Sequence, residues 1–396
     1  MNALSSVGKA ACLLLLTPAV AAAQTVAPGD LATTLRDVQQ YSFAIHILAM
    51  LLVGFGFLMV FVKRYGYGAI TGTYLIVAVG LPVYLGLRST GVLSADAVDA
   101  HSVRALLLAE FAAASVLIAA GAVLGRVRLH QYALLALVMV PLYMLNEHLV
   151  LDGGLAATRG FVDAAGSITI HAFGAYFGLG LAVALTTRRQ RDLEIANDAT
   201  SNRFSLVGSM VLWLFWPSFC SAVVPQAQFA ATAVNTVLAL CGATASTYVF
   251  SSIFGKGKVG IADMANAALA GGVAIGATCN QVAAPVAFAI GLLAGALCVF
   301  GYAVVQPRLQ RAFKIVDTCG VHNLHGMPGL LGGIAAIFVL PGVAGPQLAG
   351  IAVTVALALA GGTAAGFVLR ATGSKLAAYD DAEEFAGAEE EEKAFV

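Results

Sequence analysis

Asp163-Ala-Ala-Gly166-Ser-Ile-Thr-Ile-His171 and Asp317-Thr-Cys-Gly320-Val-His-Asn-Leu-His325 are one motif written twice, 154 residues apart. In each copy Gly follows Asp at the third place and His closes the run at the eighth, behind an aliphatic residue. A further glycine, Gly178 or Gly332, sits two helical turns beyond each His. Both copies lie in strongly apolar sequence. Ionisable side chains in such surroundings are costly and gather where a membrane span faces a functional interior. Two histidines in matching frames indicate a duplicated protein whose halves each bring one imidazole to a shared pathway.

The chain has 396 residues, of which 60% are hydrophobic and 11% charged, and its mean hydropathy is +0.88. That composition excludes a soluble domain and gives an all-α polytopic membrane protein. The 43 glycines include the spaced pairs Gly174/Gly178, Gly272/Gly276, Gly291/Gly295 and Gly329/Gly333, which suit close helix approach. Residues 1–23 read as a secretory signal peptide: Lys9, an apolar stretch from Ala10 to Val20, and Ala21-Ala22-Ala23 before Gln24. The mature N-terminus is then expected outside.

Eleven spans follow, at approximately 41–63, 68–88, 102–125, 131–151, 166–187, 204–224, 229–252, 260–280, 284–305, 320–340 and 347–370. With this count the inner loops hold fifteen Lys and Arg, among them Lys63, Arg126, Arg188, Lys256, Arg308 and Lys375, and the outer side four (Arg36, Arg88, Arg104 and Arg159). The asymmetry supports the count and an inner-membrane location with the C-terminus in the cytoplasm. The transmembrane domain is taken as 24–375. The acidic tail, 376–396, reads as solvated and disordered. Of six cysteines, Cys12 falls in the signal peptide and the other five are scattered along spans without a CxxC pair, so neither a disulfide framework nor a metal site is expected. No phosphate loop, dinucleotide fingerprint, HExxH or GxSxG occurs, which removes ATP-driven pumping and the common hydrolases. No cofactor and no nucleic-acid partner is expected, and the chain does not read as an enzyme.

Spans one to five and six to ten form equal halves. Because five is odd, the second half is inverted, and an in-plane pseudo-twofold axis brings His171 and His325 together near the midplane. Two neutral imidazoles can share one proton between facing nitrogens and present a donor or acceptor to a small polar molecule. Asp163 and Asp317 can each cap their helix beside Gly166 or Gly320. For Asp163 a second role is open, the stabilisation of a cation at the outer mouth. His322, one turn before His325, is balanced between pore lining and packing. His46 and His148 read as structural. Composition alone does not distinguish Phe111 or Phe219 from the other phenylalanines.

Asp317-Thr-Cys-Gly-Val-His-Asn-Leu-His-Gly-Met-Pro-Gly329 closely resembles the signature of the Rhesus (Rh) glycoprotein branch of the ammonium transporter family. So does Asp163 to Gly178. Trp216-Pro-Ser-Phe219, Asn266 to Gly276, Gly121-Ala-Val-Leu-Gly125 and Asn146-Glu147 are similar to further blocks of the family. The resemblance covers nearly the whole mature chain. It implies an inverted five-plus-five repeat of eleven helices, a homotrimer with one pore per subunit in membrane lipid, and conduction of ammonia, with methylamine as an analogue. It makes His171 and His325 the twin pore histidines, Asp163 the outer-vestibule aspartate, and Phe111 and Phe219 a stacked pair closing the outer mouth. Secondary candidates are Asp317, His322, Asn266 and Leu151. The chain departs from the ammonium-transporter branch at Leu151, an aliphatic region where that branch places a vestibule tryptophan, and at Gly320, where that branch has an acidic residue. These differences favour gradient-driven conduction over high-affinity scavenging. Carbon dioxide passage, electrogenic transfer of ammonia plus a proton, and ammonium sensing are the alternatives.

Overall fold

The computed structural model describes residues 31–93, 99 and 101–388. The expected signal peptide lies outside the described residues. Among the described residues eleven helical segments run in order: α1 Thr33–Phe61, α2 Gly66–Ser89, α3 Val103–Gly121, α4 Leu129–Val150, α5 Ser167–Leu185, α6 Ala199–Ser221, α7 Gln226–Phe254, α8 Ile261–Ile275, α9 Ala284–Phe313, α10 at 322–339 and α11 Ala344–Ala371. Nine of them are long and apolar enough to cross a membrane, and α8 and α10 are the shorter two. Among the described residues there is no strand. Helices rich in Ala, Leu and Val suit this environment because each satisfies its own backbone polar groups internally.

The five-plus-five repeat appears in the packing. The most extensive helix packings are α7 with α9, α5 with α11 and α2 with α4, of which the first and third occupy equivalent places in the two halves. Glycine permits the first of these: a β-carbon at Gly291 or Gly295 would run into the Ala239 or Ala243 carbonyl of α7. α5 is the most enclosed span, with 89% of its most apolar window buried, whereas α11 has 28%. The duplicated motif on α5 is therefore carried at the centre of the bundle.

The acidic tail corrects the expectation of disorder as far as residue 388. The segment turns back onto the face where α2 and α4 begin, here called the tail face. Asp381 accepts hydrogen bonds from the Tyr67 and Gly68 amides at 2.8 Å each. Glu384 accepts one from the Leu129 amide at 2.8 Å and pairs with Lys375 at 2.7 Å. Asp380 pairs with Arg64 at 2.7 Å, and the Tyr379 amide donates to the Gly125 carbonyl. The first amides of a helix lack intrahelical partners and carry partial positive charge. The tail's carboxylates supply acceptors for two such helix starts, which a composition-based reading of the acidic run could not anticipate. Burial pushes the Asp381 carboxyl above its usual value, opposed by the Gly68 and Tyr67 amides.

Asp381→Ala should lower the unfolding free energy of the purified protein in detergent by roughly 1–2 kcal/mol through loss of the cap. Asp380→Ala, which removes a bridge to the half-exposed Arg64 and a local bond from the Ala382 amide, should cost less, about 0.5 kcal/mol. Thermal unfolding of the two variants side by side checks the order.

Candidate pore

Both histidines sit in π-helical turns, Ser167–Ala172 in α5 and His322–Gly326 at the start of α10. Each turn is entered through a left-handed glycine, Gly166 at φ +80° and Gly320 at φ +68°. Each is capped by the motif's aspartate. Asp163 Oδ2 accepts from the Ile168 amide at 3.0 Å, the Thr169 amide at 2.8 Å and the Thr169 hydroxyl at 2.9 Å. Asp317 accepts from the Val321 amide at 3.0 Å and the His322 amide at 3.1 Å. The repeated spacing of Asp, Gly and His thus encodes one local structure twice. π turns are rare and recur at functional sites because they rotate a side chain out of the regular helical register.

The result is a hydrogen bond between the two imidazoles, His171 Nδ1 to His325 Nδ1, at 3.2 Å. Their planes are 10° apart with centroids separated by 5.3 Å, so the rings lie edge to edge in nearly one plane. Trp216 lies beside His171 at 5.6 Å and 22°, and Phe55 beside His325 at 6.4 Å and 20°. The four rings are close to parallel, which fixes the imidazole planes. Both histidines are buried, and the Nε2 atom of His171 has no partner.

On the side away from the tail face, Phe111 and Phe219 meet at 4.6 Å with an interplanar angle of 61°, and Phe219 is 6.0 Å from the His171 ring. The pair is edge-on rather than parallel, as the ring quadrupoles favour. Each is 3% exposed, so the two rings are fully packed. On the tail side a cavity of about 30 Å³ adjoins His325, lined in part by Phe55, Met59, Leu117, Gly121 and Asn266; by that measure it has room for about two water-sized molecules. The order along the axis is therefore phenylalanine pair, histidine pair, cavity.

The secondary candidates divide. Asn266 lines the cavity. His322 is half-buried against Tyr176 and does not join the histidine pair. Asp317 acts as a cap. Leu151 ends α4 and is 43% exposed, away from the buried column. His46 bonds Ser218 at 2.9 Å and stacks on Phe215, and His148 lies by Asp152. The five described cysteines are free. Sequence reasoning missed Phe55 and the bracketing role of Trp216. The Trp216 indole rests on Gly272, where any β-carbon would strike it, so the glycines of the Asn266–Gly276 block were the available signal.

A bundle of membrane-length apolar helices with a buried histidine pair and a buried phenylalanine pair beside it suits a channel-type transporter. Comparison with known proteins gives the family. The model of the Ammonium Transporter Family matches residues 11–394. The chain is 37% identical to ammonium transporter Rh type B-B of Xenopus laevis, covering 81% of this chain and 75% of that protein. It is 39% identical to ammonium transporter Rh type B of Oryctolagus cuniculus, covering 81% and 76%. Among solved structures it matches Nitrosomonas europaea Rh50, of the Rhesus protein family of channels, with a TM-score of 0.89 and 61% identity over 91% of this chain and 96% of that one. A sensor Amt protein shares the fold at a TM-score of 0.74 and 19% identity, over 85% and 93%. This chain belongs to the ammonium transporter family, as a bacterial-type member of its Rh branch, and it is a membrane transporter rather than an enzyme.

Gly320→Ala should destabilise the protein by at least about 2 kcal/mol, because the new β-carbon meets the Tyr302 ring and the backbone is left-handed. Gly86→Ala, with open space around it, should be neutral or stabilising by up to about 1 kcal/mol. Thermal unfolding of both variants measures the contrast.

Proposed function

We propose that the chain conducts neutral ammonia down its gradient, from ammonium recruited and deprotonated at the mouth beside Phe111 and Phe219. The observation that carries this reading is the buried histidine pair bonded through Nδ1. An ammonium ion entering so apolar a passage would lose its hydration without a compensating charge, at a cost of many kcal/mol. Ammonia loses far less and exchanges hydrogen bonds with the imidazoles. Each imidazole has one donor and one acceptor. With the Nδ1 atoms committed to each other, one Nε2 is a donor and the other an acceptor, which suits a molecule that is itself both.

Asp163, close to the gate end of α5, stays committed to its cap and acts on an arriving cation through its charge. Phe111 and Phe219 exclude water and ions until they part. Ammonia then passes His171 and His325, enters the cavity near Asn266 and is reprotonated in solution. The tail face is cytoplasmic in this reading, since the loops on that side carry most of the Lys and Arg, and the membrane is taken as a bacterial inner membrane. The working assembly is a homotrimer with one pore per subunit. Methylamine competes as an analogue, and carbon dioxide is a second gas able to use an apolar passage.

Proteoliposomes loaded with a pH-sensitive dye test the assignment. An ammonium gradient should alkalinise them faster than empty liposomes. His171→Leu or His325→Leu should each slow the initial rate at least about tenfold, equivalent to one lost hydrogen bond of about 1.4 kcal/mol. The double variant should be little slower than either single one, because the pair acts as a unit. Wild-type liposomes behaving like empty ones would refute the assignment.

A further inference from the structure

One buried acid is unlike the rest. Asp163 and Asp317 accept backbone amides, Glu147 accepts the Tyr84 hydroxyl at 3.0 Å, and Asp381 accepts the Tyr67 and Gly68 amides. Glu110, in the middle of α3, is 0% exposed, and neither of its carboxyl oxygens has a partner. Among the described residues it is the only buried acid in that condition. Its chain neighbour is Phe111, half of the gate.

Helical geometry says which way it faces. At 100° per residue, Leu117 and Gly121 lie within roughly 20° of Glu110 around the α3 axis. Both line the cavity beside His325, together with Phe55 and Met59 of α1. Glu110 therefore shares the face of α3 that borders the conduction path, two turns further from the tail face. Ala114, one turn along the same face, is small. Opposite it, α1 opens into the π turn Met50–Phe55, which packs on α3.

Leaving two carboxyl oxygens without partners serves no packing purpose, since a leucine would fill the place at lower cost. Such a group must either keep its own proton or pair with a cation. No charged side chain bonds to it, so the cation has to come from the pathway and must be small and rich in N–H donors. We infer that Glu110 is a binding site for ammonium at the phenylalanine gate and the group that takes its proton. This deepens the function proposed above and rests on it.

With the gate closed, Glu110 is neutral through its own proton. When Phe111 swings away, the proton leaves to the solution on the gate side and the carboxylate pairs with ammonium. One N–H bond of the ion then breaks, its electron pair stays on nitrogen, and an O–H bond forms on Glu110. Ammonia and a neutral acid result, and ammonia moves on to His171. The proton returns to the gate side, so no net charge crosses. Asp163 also has a free oxygen, Oδ1, but three donors hold its Oδ2 atom and fix the carboxylate as a cap, whereas both oxygens of Glu110 are free.

The test pairs transport with infrared difference spectroscopy on the full chain in liposomes, comparing ammonium with potassium. A carboxyl band should respond to ammonium and not to potassium, and should be absent in Glu110→Gln. That variant should conduct at least tenfold more slowly at low ammonium, while Glu110→Asp retains part of the rate. Glu110→Gln conducting within twofold of wild type, or the ammonium-sensitive band persisting in it, overturns the inference even though wild type conducts. Slow alkalinisation by wild type itself would instead overturn the transport assignment. If Glu110→Gln fails to assemble, Glu110→Asp decides: a shifted band supports the inference and an unmoved one overturns it.

Discussion

The hydrogen bond between His171 and His325 is the contact the rest of the structure serves. Two imidazoles buried in a membrane protein would each cost several kcal/mol if left unpaired. Bringing them within 3.2 Å requires that helices from both halves present them at the same depth and in the same plane. The Asp-capped π turns set the rotation, and the left-handed glycines allow each turn to start. Trp216 and Phe55 then bracket the pair from α6 and α1. The inverted repeat makes this economical, because one local design used twice meets itself at the axis.

From that pair the rest of the channel follows. A committed Nδ1–Nδ1 bond leaves only Nε2 atoms for a passing molecule, and under the proposed function this favours a small neutral species with both donor and acceptor character. The edge-on phenylalanines make the approach dry, which raises the cost for an ion much more than for a gas. On the tail side the pathway widens into the cavity. Beyond it, the acidic segment closes onto the starts of α2 and α4, so the tail as far as residue 388 packs on the bundle there.

Much of this was readable in the chain. His171 and His325 were legible because the Asp-Gly-His spacing repeats, and the eleven helices because apolar runs of span length are separated by charged loops. The π geometry was not legible, since it comes from how Gly166 and Gly320 pack and not from a helical propensity. The tail as far as residue 388 was misread because acidic composition reports solubility, while its packing depends on helix-start amides at Tyr67, Gly68 and Leu129, distant in sequence. Phe55 was invisible among 21 phenylalanines. Glu110 stood next to a residue of interest, but only the structure reveals that its carboxyl has no partner.

Under the proposed function a bonded histidine pair passes ammonia without its charge. The most direct measurement records internal pH and membrane current together in proteoliposomes of the unaltered protein after rapid exposure to an ammonium gradient. Accelerated alkalinisation with no current above that of empty liposomes is expected of neutral passage. A saturable inward current that grows in proportion to the alkalinisation would contradict it, because a proton would then be crossing with every ammonia.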